Sequence, residues 1–252
     1  MDLLSNAPLE AEVLSDPALV HTKWLELTPQ VDSSEDVVSK YLQSNTAQLR
    51  SVAASAQATA ISISIPLGWK QLAEFLTSTE WLQTHVRLDK TTKHTEEPTV
   101  SVASTMHIQQ LAPSHLLSIE PLLIEQAKYH ASLYPKYYRS ASAIDWTTYR
   151  SELTDDFNHT DALNFVCLEK ATPVGLLLAQ VTTRNITVFD LIVSENYRGK
   201  GIGRALLAKL DEHTNDTSIP ITLETWWDQP ARTLYEKSGF VAVADSFFLA
   251  LE

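Results

Sequence analysis

Half of the chain's six glycines fall inside five consecutive positions, Gly199-Lys200-Gly201-Ile202-Gly203. They lie in the stretch "SENYRGKGIGRALLAKL" (194–210), after the apolar run "ITVFDLIVS" and at the start of a run in which Ile202, Leu206 and Leu210 recur four residues apart. Apolar alternation reads as a strand and four-residue recurrence as a helix, so the glycines mark a tight strand-to-helix turn. A residue without Cβ reaches positive φ at little cost and lets another group approach the backbone closely. The first amides of a helix have no partner within it, and the helix dipole favours an anion beside them. With Arg198, Lys200 and Arg204 interleaved, this turn is a cradle for phosphate.

Spacing separates the phosphate ligands that use such a turn. A nucleotide P-loop requires G-x-x-x-x-G-K-S/T, and Lys200 precedes the glycines it would have to follow. A dinucleotide fingerprint requires G-x-G-x-x-G, but its last place falls on Arg204 counted from Gly199 and on Leu206 counted from Gly201. Glu224 does stand at the distance expected of a ribose-binding carboxylate. However, the three strands "ALNFVCLEKA", "PVGLLLAQVTT" and "ITVFDLIVS" are joined by "TP" and "RN", too short for crossover helices and suited to an antiparallel meander.

The spacing predicts an order β-α-α-β-β-β-α-β-α-β from about residue 104 to residue 252. It comprises "STMHIQQLAP", a helix from Ser114 as N-cap, a second helix around "IDWTTYRSELTDDF", the meander, the glycine-turn helix, "PITLETW", "PARTLYEKSG" and "FVAVADSFFLALE". The first hundred residues predict β-α-β-α-β: "LVHTKWLELTP", "SSEDVVSKYLQSNTAQLRSVAASA", "ATAISISIP", "GWKQLAEFLTSTEW" and "LQTHVRLDK". That is the order of the later region's second half, with the acidic "QVDSSED" where a glycine turn would stand. The fold class is therefore α/β (α+β), a mixed, mostly antiparallel sheet flanked by helices. The expected division is a tail over 1–15, a degenerate structural unit over 16–92, a polar linker over 93–102 and the catalytic domain over 103–252.

The run Arg198-Gly199-Lys200-Gly201-Ile202-Gly203 resembles the acyl-CoA loop of the GNAT superfamily of N-acetyltransferases, Q/R-x-x-G-x-G/A. A second stretch, "WDQPARTLYEKSGF", is similar to the family's later segment, W-N-x-x-A-x-x-x-Y-E-K-x-G-F in outline, with Ala231, Tyr235, Gly239 and Phe240 on the matching places. Asp228 departs from it, since the family commonly has Asn there and a carboxylate cannot donate a hydrogen bond. The resemblance implies acetyl transfer from acetyl-CoA to an amine without a covalent acyl-enzyme. It places the cofactor on Ile192, Val193, Arg198, Gly199, Lys200, Gly201, Ile202, Gly203, Arg204, Asp228 and Tyr235, with strands 187–193 and 220–225 parallel and splayed around the pantetheine arm. It implies the Val193 amide as the oxyanion donor and Tyr235 as the general acid. For the general base, Glu224 and Asp190 lie on the two splayed strands, and His130 lies near the acceptor side but reads better as a solvated helix histidine. The acceptor would lie against the helix pair rich in rings, with Tyr134, Tyr138 and Trp146 as candidates, although such rings also pack helices onto a sheet.

A net charge of -12 argues against a general nucleic-acid binder and fits a cationic acceptor, as well as plain solubility. The single cysteine, Cys167, excludes an intramolecular disulfide and a multi-cysteine metal site, and its apolar setting "NFVCLEK" reads as a buried thiol. No metal is expected. The first residues lack a secretory pattern and the longest apolar run, "VGLLLAQV", is too short for a bilayer, so a cytoplasmic protein without membrane contact is expected. The competing function is a non-catalytic acyl-CoA-binding or regulatory module on the same fold. In either case the first unit could serve as a dimerisation piece, giving a homodimer, or as a sheet extension.

Overall fold

The computed structural model describes residues 7–15, 23–91, 105–133, 144–147, 154, 161–214 and 219–251. Strands β1 (Leu9–Ser15) and β2 (Lys23–Pro29) precede helix α1 (Glu35–Ser55), strand β3 (Ala60–Pro66), helix α2 (Lys70–Thr77) and strand β4 (Leu82–Lys90). Strand β5 (Met106–Gln110), helix α3 (Leu116–Leu133) and strands β6 (Phe165–Glu169), β7 (Thr172–Val181) and β8 (Ile186–Val193) follow. Helix α4 (Ile202–Thr214), strand β9 (Ile221–Trp226), helix α5 (Ala231–Lys237) and strand β10 (Val241–Ala250) end the chain. The second helix expected after α3 falls mostly outside the described residues.

The chain divides into two compact units. Met1–Arg87, Thr225–Gln229 and Ala242–Glu252 form the first, and Leu88–Glu224 with Pro230–Val241 the second. In the first, α1 lines up Val38, Leu42, Leu49 and Ala53 on one face and sets them, with Leu72 and Leu76 of α2, onto Leu25, Leu27, Ile61, Ile63, Phe247 and Leu249. Each such leucine removed from water contributes about 1.5–3 kcal/mol. Glu35, at the start of α1, accepts the Leu72 amide at 2.9 Å and so satisfies an orphan donor in the first turn of α2.

Two features of this unit were not expected. Leu9–Ser15, read as tail, is a strand paired antiparallel with β2 from Leu9↔Pro29 to Ser15↔Lys23; its alternation "LEAEVLS" is diluted by acids, yet Leu9 is fully buried. β10, expected within the domain over 103–252, belongs instead to this unit and pairs with β3, antiparallel from Ala244↔Pro66 to Ala250↔Ala60. Period-two alternation fixes which face a strand buries and leaves its neighbour open. In turn, the end of β4 belongs to the second unit, where Lys90 Nζ pairs with Asp211 Oδ2 of α4 at 2.7 Å.

In the second unit β5, β6, β7 and β8 form an antiparallel meander, and β8 pairs parallel with β9 across the α4 crossover. The corresponding β2-α1-β3 crossover of the first unit is parallel as well. Helix α3 buries Ile119, Leu122 and Leu123 against Val166, Leu168, Leu176, Leu178 and Ile192. It starts at Leu116, one residue later than a Ser114 N-cap would set it: Ser114 lies in a 3-10 turn, and His115 Nδ1 accepts the Ala112 amide at 3.0 Å. Cys167 is fully buried, and burial followed by the nearby Glu169 charge pushes its thiol up to about 11. No helix among the described residues is long and apolar enough to cross a membrane.

If β10 is an integral strand of the first unit, truncating its fully buried phenylalanine must unfold that unit, more than a hundred residues away in sequence from most of its partners. Phe247→Ala is expected to lower stability by about 3–5 kcal/mol in urea denaturation. A loss below about 1 kcal/mol would contradict this packing.

Candidate active site

The opening that the second unit offers begins with an interrupted ladder. β8 and β9 are in register from Ile186↔Ile221 to Val188↔Leu223 and no further, although β8 continues to Val193. The cause lies on the other side of β8, where Leu178 pairs with Asp190 but Ala179 pairs with Val188. Phe189 is therefore an extra residue, a β-bulge, which bends the strand and increases its twist. Beyond it, among the described residues, β8 is no longer paired with β9.

Alternation along β8 then decides what faces the opening. The Ser194 amide donates to Val174 O on β7 at 3.1 Å, so Ser194 belongs to a hydrogen-bonded pair. Counting back through the antiparallel register, Ile192 and Asp190 also turn their backbone groups to β7, while Val193 and Leu191 turn theirs to the open edge. This corrects the expectation for Ile192, whose backbone is in the ladder and whose side chain is buried under α3. Val193 is the expected residue whose amide reaches the open edge. Its carbonyl accepts from Arg198 Nε at 3.1 Å.

The glycine turn follows after a single 3-10 turn, Glu195–Tyr197. Gly199 and Gly201 have φ of 75° and 82°, a conformation that a Cβ would strain, and a Cβ at either would meet open space. Ile202, Gly203 and Arg204 open α4, and the first intrahelical bond is Ala205 N to Gly201 O at 3.0 Å, so the amides before Ala205 have no partner within the helix. The helix is pulled down onto the sheet at Gly175 of β7, where a Cβ would come within 2.7 Å of Ile202 Cγ2 and 3.2 Å of Leu206 Cδ1. Exposed Lys200 stands 4.5 Å from the Tyr197 ring centroid, and Arg204 is exposed as well. An open, glycine-backed set of amides flanked by cations fits a diphosphate.

Helix α3 braces the turn with one face. Glu125 accepts the Ser194 hydroxyl at 3.0 Å and the Glu195 amide at 2.5 Å. Gln126 Nε2 donates to Asp190 Oδ1 at 2.5 Å. The Arg198 guanidinium lies 4.8 Å from the Tyr129 ring centroid, and His130 follows on the same face. None of Glu125, Gln126 and Gly175 carries a sequence signal for this role, because each acts through a partner distant in the chain. His130 is half-buried rather than solvated, and burial followed by the Arg198 charge brings it down to about 4.

Tyr235 of α5 is buried, and burial followed by the Asp190 charge pushes its hydroxyl well above the ordinary range. It thus keeps its proton through neutral pH. Of the two strand carboxylates, Asp190 is half-buried and its charge reaches Tyr235, whereas Glu224 is the exposed residue of β9. Asp228 is exposed in the turn after β9 and belongs to the first unit. Trp146 packs, partly buried, against the cluster under α3, as a core ring would. Tyr134 and Tyr138 lie outside the described residues. Among the described residues no group of three or more His, Cys, Asp or Glu side chains is placed to hold a metal.

Residues 138–249, which include the meander, the glycine turn and Tyr235, match the family model of the acetyltransferase (GNAT) domain. Over these residues the chain matches a GNAT acetyltransferase domain. A stretch of 79 residues is 32% identical to the [Ribosomal protein bS18]-alanine N-acetyltransferase of Haemophilus influenzae, covering 31% of this chain and 54% of that relative. This chain thus spans about half the length of the curated relative it matches. Among solved structures, a functionally unknown conserved protein from Staphylococcus epidermidis superposes with a TM-score of 0.63 at 14% identity, covering 94% of this chain and 88% of that one. A GCN5-related N-acetyltransferase from Sphaerobacter thermophilus gives 0.62 at 14% identity, covering 96% and 76%. These two likenesses show the fold, and they extend over both units.

His130 links this site to stability. With its value in the fold below the ordinary 6.5, the native state resists a proton that the unfolded chain accepts. The stabilising difference is present above about pH 6.5 and is lost as pH falls toward about 4. His130→Gln should therefore remove about 1–2 kcal/mol of the stability difference between pH 7 and pH 5 in urea denaturation. Equal pH slopes in both proteins would contradict the assignment.

Proposed function

We propose that the GNAT domain transfers an acetyl group from acetyl-CoA directly to a primary amine of a small molecule or peptide. The observation that carries this reading is the edge of β8 beyond the Phe189 bulge, no longer paired with β9, with the glycine turn at its end and Asp190 on it, whose charge reaches Tyr235. The matched Haemophilus relative, which acts on an alanine of a ribosomal protein, supports an amine acceptor. The net charge of -12 suits one that is cationic.

Acetyl-CoA supplies an acyl group already activated as a thioester. The chain supplies the rest. The free amides before Ala205, with Lys200 and Arg204, hold the diphosphate at the α4 start, where the helix dipole adds to their attraction. Leu191 and Val193 pair their open backbone groups with the pantetheine arm, and the Val193 amide faces the oxygen on which negative charge develops. Arg198, bonded to the Val193 carbonyl, ties the turn to that strand end.

Protons move at two side chains. An alkylammonium with a pKa near roughly 10 has to lose a proton before its lone pair can attack. Asp190, rather than the exposed Glu224, receives it. Tyr235, held protonated by burial, donates to the departing sulfur. Binding and release of the acceptor remain on the α3 side of the sheet, where Asp190 is directed by its bond to Gln126.

Calorimetric titration with acetyl-CoA tests the reading. Gly201→Val is expected to abolish binding, since a branched side chain both strains the turn and fills the cradle. Tyr235→Phe should keep the Kd within about threefold and lower kcat by about 100-fold. Failure to saturate at about 1 mM acetyl-CoA, equivalent to about −4 kcal/mol, contradicts the proposal. Saturable binding without CoA release for any amine would instead favour a non-catalytic acyl-CoA-binding module.

A further inference from the structure

The α3 face that braces the glycine turn holds a buried polar atom that has no partner among the described residues. Gln126 Nε2 donates to Asp190 Oδ1 at 2.5 Å, and this bond fixes the direction of the amide, because a reversed amide would set two oxygens against each other. Gln126 Oε1 is left one amide width from the Asp190 carboxylate. It is buried, and among the described residues it accepts no hydrogen bond. Buried acceptors are normally paired, and one left unpaired costs as much as a lost hydrogen bond, so an unpaired carbonyl oxygen in such a place calls for an incoming donor.

The location says what the donor is attached to. Asp190 is the first ladder residue after the Phe189 bulge, on the α3 side of the opening, and its charge reaches the Tyr235 hydroxyl. An acceptor nitrogen that gives its proton to Asp190 therefore comes to rest beside Gln126 Oε1. A neutral primary amine carries one lone pair and two N–H bonds. With the lone pair directed at the thioester carbon, one N–H points to each of two acceptors.

We infer that Gln126 Oε1 and the Asp190 carboxylate receive the acceptor nitrogen together, one N–H each, and that this pair makes the site selective for primary over secondary amines. The inference rests on the acetyl-transfer reading above and adds to it the residue that sets acceptor class. The step balances. The C–N bond forms as the C–S bond breaks, Asp190, having passed the earlier ammonium proton to solvent, takes one of the two amine protons, the Tyr235 proton passes to sulfur, and the product amide keeps its remaining N–H toward Gln126 Oε1. Solvent then takes the proton from Asp190 and restores that of Tyr235. A secondary amine has one N–H, so one acceptor stays buried and unpaired while an alkyl group is pressed against it.

The test measures kcat/KM for CoA release with three matched pairs: an alanyl and an N-methylalanyl peptide, butylamine and N-methylbutylamine, and lysine and Nε-methyllysine. For the pair that the wild type turns over best, the primary member should be favoured by about 10- to 100-fold, the rate equivalent of one unpaired buried group. Gln126→Met, of similar length and unable to accept an N–H strongly, should reduce that preference to below about threefold while leaving the acetyl-CoA Kd within about twofold. A merely structural role for Gln126 would slow both members alike and leave their ratio unchanged, which would overturn the inference alone. A wild type that uses both members equally would overturn it even if the variant fails to fold. Tight acetyl-CoA binding with no turnover of any pair would overturn the acetyl-transfer reading and this inference with it.

Discussion

Everything chemical in the second unit depends on one interruption, the bulge at Phe189. A parallel pair left in register would close over its own backbone groups, and neither strand would have an amide to offer. By inserting one residue opposite Leu178 and Ala179, the chain keeps β8 in its ladder with β7 while releasing its other edge from β9 after Val188. The same insertion resets the alternation, so that Asp190 and Ile192 turn to the α3 side and Val193 presents its amide to the gap. A local cost in strand pairing thus leaves a slot along the unpaired edge of β8.

Around that slot, rigidity comes from two directions. Below, Gly175 lets Ile202 and Leu206 settle onto β7, which holds the start of α4 close to the strand end. Above, Glu125, Gln126 and Tyr129 bind Ser194, Asp190 and Arg198 in turn, so one helical face positions the turn, a carboxylate and a cation. The first unit repeats the parallel crossover without these devices. Its α1 is capped by its own Ser34, and Glu35 and Asp36 occupy the first turn, so the dipole that α4 leaves available for an anion is already met by acids.

Much of this was legible in the sequence, for reasons that differ by element. The glycine turn and Tyr235 sit in contiguous patterns whose spacing is itself the constraint, and the family resemblance follows from them. The meander was legible because its connections are too short for anything else. What escaped is what depends on partners distant along the chain. The placement of β10 against β3 is a choice of neighbour that alternation does not encode. Gly175 reads as a weak point in a strand until the helix that fills its missing Cβ is in place. Ile192 looked equivalent to Val193 because ladder phase is invisible without a register, and nothing near Gln126 in the sequence points to its partner Asp190.

The central claim is that the chain has one acyl-CoA site, at the bulge and glycine turn of the second unit, and that the acidic helix start of the first is closed to anions. Amide hydrogen exchange with and without saturating acetyl-CoA addresses both halves in one experiment. The account predicts added protection at residues 191–204, centred on Val193 and the start of α4, and no change at residues 30–37. Protection at the start of α1, or none around Val193 while acetyl-CoA is bound, would contradict it.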